Sequence, residues 1–382
     1  MKKVGIVAGT RPEVIKMAPL YLELRKSECI CPVFISTAQH RQMLDQALSM
    51  FGIRPDYDMD IMRPKQTLSE LTARILLAWE TFFNTENIDA ILVQGDTTTV
   101  LASSIAAFYH NVRIGHVEAG LRTFNMHSPF PEEMNRRLVS PIADWSFAPT
   151  ELSLANLVAE GIPSSKCYIT GNTVVDALLY MISKLDSDGR SLGHVAAACG
   201  ISDNFYKKFM EENGRWILVT GHRRESFGTG FENICKAISQ IVEKHRDCGI
   251  LYPVHLNPNV REPVCRLLGN NSNVELINPV SYEDFICLMK NCRFVLSDSG
   301  GVQEEAPSLG KPVLVMRDTT ERPEGISAGT CRLVGTSVEK IVAESNLLLS
   351  DDAEYSARSA LKNPYGDGTA SVKIRKILEE TL

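Results

Sequence analysis

No stretch of this chain approaches the ~18 consecutive apolar residues that a membrane-spanning helix needs, so no segment reads as a bilayer span. The start, Met1-Lys2-Lys3, leads only into Val4–Ala8 before polar Thr10-Arg11, too short for the apolar core of a signal peptide. The ten cysteines form no Cys-x-x-Cys pair and do not gather with the eight histidines at zinc-ligand spacing, so metal is not called for. Reduced thiols in a large cytoplasmic enzyme are the reading that remains. Excess positive charge is missing as well: 40 basic against 46 acidic side chains leave −6. That argues against a broad nucleic-acid or anionic-membrane surface, while a local basic pocket stays open. Several motifs are absent too. No Gly-x-Gly-x-x-Gly follows the first apolar run, no Gly-x4-Gly-Lys-Ser/Thr occurs, and neither His-Glu-x-x-His nor Gly-x-Ser-x-Gly is found. A bound dinucleotide, a P-loop, a zincin and a serine hydrolase are therefore not indicated.

What is present is an ordinary globular mixture, 44% apolar and 23% charged over 382 residues. At ~150 residues per domain that length suits two domains. Short apolar runs alternate with amphipathic stretches. Val4–Ala8, Pro32–Ser36, Ala90–Val93, Val112–Val117, Trp145–Ala148 and Tyr168–Thr170 read as one set of strands. Trp216–Thr220, Ile250–Val254, Val274–Ile277, Phe294–Ser297 and Pro312–Met316 read as a second. Continuous apolar strands separated by helices predict an α/β fold of parallel sheets built from βαβ units. Thr67-Leu-Ser-Glu70 is a capping box opening a long helix. Ser187–Gly200 reads as a surface connection, and the change of domain falls between Gly171 and Gly200. The last helix, from about Ala370, could pack on either domain.

Ligands of open parallel sheets bind beyond the carboxyl ends of the strands, and the loops there are rich in charge. The first strand runs into Gly9-Thr-Arg-Pro-Glu-Val-Ile-Lys16, the Ala90 strand into Gln94-Gly-Asp-Thr-Thr-Thr99, and Val117 into Glu118. In the second set lie Gly221-His-Arg-Arg-Glu225, His255 after Val254, and Ser297-Asp-Ser-Gly-Gly301. Each piece has a plain structural explanation. Arg11 could be a solvated turn residue, the threonines after Asp96 an N-cap, Glu132 or Glu133 a helix cap, and His222 part of an ion network. Glu118 is harder to dismiss, because a carboxylate directly after a buried run needs a partner or a function. Ser299, Gly300 and Gly301 at a helix entry suit a phosphate. Together with Arg11, Lys16, His222 and Arg223 they suggest a diphosphate, and Asp96, Glu118 and Glu132 suggest proton transfer at a sugar carbon.

These strings, with Gly115-His-Val-Glu-Ala-Gly-Leu-Arg122, Pro131-Glu-Glu133, Pro253-Val-His-Leu-Asn-Pro258 and Arg317-Asp-Thr-Thr-Glu-Arg-Pro-Glu324, closely resemble the UDP-N-acetylglucosamine 2-epimerases. The last string resembles the bacterial non-hydrolysing branch. The resemblance implies a glycosyltransferase-B-like arrangement of two Rossmann-like domains with the active site in the cleft between them. Residues 1–172, completed by a C-terminal helix at 366–382, would form the first domain, and 173–365 the second. It implies reversible interconversion of UDP-GlcNAc and UDP-ManNAc by elimination and re-addition of UDP through a 2-acetamidoglucal. No cofactor would be needed, and a cytoplasmic homodimer would supply surface polysaccharide precursors.

Asp96, Glu118 and Glu132 match the family's catalytic carboxylates. Ser299, Gly300 and Gly301 would offer amides to the diphosphate, which Arg223 would also meet, and Glu305 would take the ribose; Arg11 and the further catalytic residues Lys16 and His222 would neutralise the charge developing on UDP as the C1–O bond breaks. Phe285 is a choice for a face under the uracil, with a core Phe the plain alternative. Gln39, Gln42, Lys65 and His255 match the pattern of a second, regulatory UDP-GlcNAc site, with Lys where relatives carry Arg. The same motifs would suit an epimerase for another UDP-2-acetamido sugar. A hydrolysing epimerase or a glycosyltransferase fits them less well.

Overall fold

The structure is a computed structural model. It describes every residue except 39, 40, 64, 65, 212 and 213, and the side chains of 41–43 are likewise outside the description. The chain divides into two compact units, 1–177 with 365–382 and 178–364. The division falls inside the helix Thr173–Ser187.

The first unit holds seven strands: β1 (Lys2–Ala8), β2 (Ile30–Ser36), β3 (Tyr57–Asp58), β4 (Ala90–Gln94), β5 (Arg113–Val117), β6 (Trp145–Ala148) and β7 (Cys167–Ile169). They are ordered β3-β2-β1-β4-β5-β6-β7, each pair parallel. The second unit holds β8 (Arg215–Thr220), β9 (Cys248–Pro253), β10 (Val274–Ile277), β11 (Phe294–Ser297), β12 (Val313–Val315) and β13 (Cys331–Leu333). Their order is β10-β9-β8-β11-β12-β13, again all parallel. Both are the Rossmann order, in which the chain leaves the first strand toward one edge and later returns beside it. In each unit the reversal leaves a switch point, between β1 and β4 and between β8 and β11.

The central strands read correctly from sequence because helices cover both faces and most of their side chains are apolar. Ala90–Gln94 is buried throughout. The strands that escaped notice lie at the edges. β3 is only Tyr57-Asp58, and β13 carries an exposed arginine, Arg332, between Cys331 and Leu333. Neither offers an apolar run. The reading of Ser187–Gly200 as a surface connection is corrected: Leu192–Ala198 is a helix, capped by the Ser191 hydroxyl accepting from His194 N–H, with Val195 and Ala196 buried. Small residues there include three alanines, which favour helix rather than loop. The capping box at Thr67 and Glu70 is formed, each side chain accepting from the other's backbone N–H.

In the first unit, helices Leu68–Thr85 and Thr98–Tyr109 cover one face, with Trp79 fully buried and its indole N–H donating to Ser103 Oγ at 2.7 Å. The final helix, Ala370–Thr381, belongs to this unit. The Asp176 carboxylate accepts its first amides from Ala370 and Ser371, Arg375 pairs with Glu23 at 3.0 Å, and Trp145 donates to Thr381 Oγ1.

Close packing reaches the loop after β1. A Cβ on Gly9 would run into the hydroxyls of Thr37 and Thr99, which bond each other at 3.1 Å. Gly9→Ala is therefore expected to lower stability by about 1–3 kcal/mol, the usual cost of overpacking, measured as a shift in the urea unfolding midpoint. An unchanged midpoint would show that the two threonines yield at no cost.

Candidate active-site residues of the two units

In the first unit, β1 opens into Gly9-Thr10-Arg11 and β4 into Gly95-Asp96-Thr97, the two loops at the switch point. Glu13, 2% exposed, fastens them together. Its carboxylate accepts from the amides of Gly9 and Thr10 at 2.8 and 2.7 Å and from the Thr97 hydroxyl at 2.5 Å. Burial raises the Glu13 carboxyl above its ordinary value although these bonds oppose the rise. Arg11 is exposed at the first helical position.

Glu118 follows β5 with φ +65°, a left-handed conformation that costs a residue with a Cβ of order 1–3 kcal/mol. Its carboxylate is held by several donors. Lys16 Nζ lies 2.7 Å from both oxygens, Gln94 Nε2 donates to Oε2, and Asn172 Nδ2 donates to Oε1 at 3.2 Å. Lys16, expected as a catalytic residue that neutralises charge on the leaving UDP, is paired with Glu118 in this structure. The Gly95 backbone lies alongside, since a Cβ there would stand 3.7 Å from Glu118 Oε2. Asp96 is ion-paired with Arg136, and its carbonyl accepts from Asn135 Nδ2 at 2.7 Å. Arg136 also meets buried Glu133 at 3.3 Å. Glu133 is a structural anchor: its oxygens accept from the amides of Thr123 and Phe124. Glu132, one residue earlier, has a buried Oε2 with no hydrogen-bond partner among the described residues.

His116, on β5 and fully buried, places Nε2 2.7 Å from the Gly95 carbonyl. A carbonyl only accepts, so Nε2 carries the proton and Nδ1, without a partner among the described residues, is a bare lone pair. Burial depresses this imidazole to about 4, so it is neutral near pH 7.

In the second unit, β8 opens into Gly221-His222-Arg223 and β11 into Asp298-Ser299-Gly300. Asp298, 1% exposed, ties the two loops. Its Oδ2 accepts from the amides of His222 and Arg223 at 2.7 and 2.8 Å, and its Oδ1 meets His222 Nδ1 at 3.1 Å. Burial pushes the Asp298 carboxyl upward, but His222 and the two amides outweigh it and hold the group below its usual range. The His255 ring stacks on His222 with centroids 5.8 Å apart, and burial together with His222 lowers its basicity.

Ser299, Gly300 and Gly301 open the helix Gly300–Glu305. A Cβ on Gly300 would come within 3.0 Å of the Arg322 guanidinium, and one on Gly301 would lie 3.7 Å from Glu305 Oε2. Glu305 accepts from the Tyr282 hydroxyl at 2.5 Å, and Arg322 pairs with buried Glu304 at 2.9 Å. Arg317 grips Glu321 and Glu225; burial alone would raise the Glu321 carboxyl, yet the neighbouring arginines hold it near about 2. Phe285 lies half-buried one turn beyond Tyr282. Gln39 and Lys65 lie outside the described residues, as does the side chain of Gln42.

Gln94, Asn135, Arg136, Asn172, Tyr282, Asp298 and Arg322 were not among the residues singled out from sequence. Gln94, Asp298 and Arg322 sit inside quoted motifs and could have been found there. Asn172 and Tyr282 carry no local signal.

The family model described as UDP-N-acetylglucosamine 2-epimerase matches residues 22–379. The UDP-N-acetylglucosamine 2-epimerase of Escherichia coli K12 is 53% identical over 377 residues, covering 99% of this chain and 98% of that protein. The chain belongs to the UDP-N-acetylglucosamine 2-epimerase family. Among solved structures, the epimerase of Neisseria meningitidis bound to UDP-GlcNAc aligns over 100% of both chains, with a TM-score of 0.90 and 47% identity. That of Methanocaldococcus jannaschii with UDP-GlcNAc and UDP aligns over 99% of both, with a TM-score of 0.80 and 34% identity. Two Rossmann-like units in one chain, the glycosyltransferase-B-like class, are thus common to this epimerase and its relatives.

The His116 environment sets a pH dependence of this epimerase. The unfolded chain protonates His116 near 6.5, whereas the fold resists until about 4, so stability is lost as pH falls through that window. Between pH 7 and pH 5 the wild type should lose about 2 kcal/mol more than His116→Asn does, read from urea midpoints. Equal acid sensitivity in the two proteins would show that His116 is not the group responsible.

Proposed function

We propose that this epimerase inverts C2 of UDP-GlcNAc to give UDP-ManNAc without hydrolysis, by elimination and re-addition of UDP. A carboxylate of the first unit takes the C2 proton while the C1–O bond breaks, giving 2-acetamidoglucal and UDP. Protonation of C2 on the opposite face, with the UDP oxygen returning to C1, completes the inversion. Inversion needs acid–base groups serving both faces, and Asp96, Glu118 and Glu132 supply them. In the second unit, Ser299, Gly300 and Gly301 offer amides to the diphosphate, with His222 and Arg223 close by, and Glu305 takes the ribose. Arg11 adds positive charge from the first unit. Charge developing on the leaving UDP is then met by fixed donors. On the resemblance, the enzyme works as a cytoplasmic homodimer that supplies surface polysaccharide precursors.

The observation that carries this reading is the grip on Glu118: a left-handed backbone, and Lys16, Gln94 and Asn172 aimed at one carboxylate next to Gly95-Asp96. Strain and buried polarity of this kind are kept where chemistry needs a fixed group. NMR of UDP-GlcNAc with the enzyme in deuterated water tests it. Deuterium should enter C2 of the product and free ManNAc should not accumulate. Full retention of the original hydrogen, or release of ManNAc, would overturn the mechanism.

The carboxylates give a second test. Glu118→Gln and Asp96→Asn are each expected to lower kcat by about 10²–10⁴-fold, with thermal unfolding near that of the wild type. A variant with near-normal turnover would reassign its residue to an ion-pair role.

A further inference from the structure

Both oxygens of Glu118 meet donors. Oε1 faces Lys16 and Asn172, and Oε2 faces Lys16 and Gln94. Lys16 lies on the helix after β1 and Gln94 ends β4, so both belong to the switch point. Asn172 comes from elsewhere, after β7, and is 1% exposed.

Its position is fixed by backbone. Asn172 N–H donates to the Tyr365 carbonyl at 2.7 Å, and its Oδ1 accepts from Val174 N–H at 3.1 Å, capping the helix Thr173–Ser187. Gly171 and Gly366 both hold positive φ, and a Cβ on Gly366 would lie 3.3 Å from Gly171 Cα and 3.6 Å from Asn172 N. Two backbones approach here as only glycines allow. Tyr365, fully buried, packs on Val174 and Val175. The side chain of Asn172 then has one amide group to spare, and it points at Glu118.

We propose that Asn172 is a positioning residue for Glu118, seated by the returning segment Tyr365–Gly366, so that this C-terminal return supports the site. The proposal rests on reading Glu118 as a catalytic carboxylate. A lysine ammonium can swing between the two oxygens without fixing the plane of the carboxylate. Planar amide donors, one per oxygen, hold that plane. Of the charged and titratable groups, Lys16 on the helix after β1 pairs with Glu118, and His116 on β5 feels the charges of Glu118, Asp96 and Arg122.

Two substitutions separate positioning from capping. Asn172→Ser keeps a hydroxyl that caps Val174 N–H, since Ser caps as well as Asn, but it stops short of Glu118. Asn172→Asp also keeps the cap and sets a second carboxylate where the amide donated. The readouts are kcat and KM for UDP-GlcNAc, and the 13C-carboxyl signal of Glu118 in the full chain, assigned by its loss in Glu118→Gln. In Asn172→Asp the titration of the coupled pair should move up by about one pH unit or more, and the acid limb of kcat should move with it. In Asn172→Ser, kcat should fall about 10- to 100-fold, as for a misplaced catalytic group, with KM changed less than about threefold.

A Glu118 signal that titrates as in the wild type in Asn172→Asp overturns the proposal, whether or not Asn172→Ser folds. A signal that moves while turnover in Glu118→Gln stays normal keeps the Asn172–Glu118 link and overturns the catalytic reading of Glu118 instead.

Discussion

A carboxylate that water barely reaches must find its compensation within the protein, and Glu118 is such a group, its side chain 3% exposed. An isolated charge there would be expensive, so the first unit surrounds it with donors. Lys16 supplies the opposite charge, while Gln94 and Asn172 supply amide N–H groups. Much else follows from keeping those donors in place. Glu13 fastens the loops after β1 and β4, and His116 braces the Gly95 carbonyl from beneath.

The second unit solves a parallel problem with a parallel device. Asp298 is buried between the loops after β8 and β11 and takes its hydrogen bonds from one of them while sitting in the other. Glu13, just after β1, accepts from the amides of its own loop and from the Thr97 hydroxyl of the loop after β4. In both units an acidic residue fastens the two loops that the sheet's reversal leaves side by side. Backbone amides at such a point have no strand or helix to satisfy them, and a carboxylate accepts several at once. Beside these fasteners Arg11 and His222 are exposed, and Asp298 and His255 hold the ring of His222.

The fold was largely legible because parallel strands covered on both faces write themselves as apolar runs. Trp145–Ala148, Val274–Ile277 and Phe294–Ser297 occur where the runs placed them. Edge strands Tyr57–Asp58 and Cys331–Leu333 were illegible because one side of each faces solvent. The alanine-rich helix Leu192–Ala198 was mistaken for a connection because its residues are small rather than patterned. In the site, Asp96, Glu118 and His222 stood out since each is a charged or titratable residue directly after an apolar strand. Glu132 and Glu133 looked interchangeable in sequence; only Glu133 proves to be bound to the backbone amides of the preceding loop.

By itself the sequence determined the two parallel α/β sheets, the charged loops after their strands and the family, because each is written in local patterns of a few consecutive residues. It could not determine which groups meet. Arg136 reaches Asp96 across 40 positions, Asn172 reaches Glu118 across 54, and Asp298 reaches His222 across 76. Those pairings exist only once strands distant in the chain lie side by side and bring their carboxyl ends to one edge of a sheet. The tertiary structure therefore decided that Lys16 and Asn172 serve Glu118. A hydrogen bond depends on distances of about 3 Å, and no pattern along the chain encodes them.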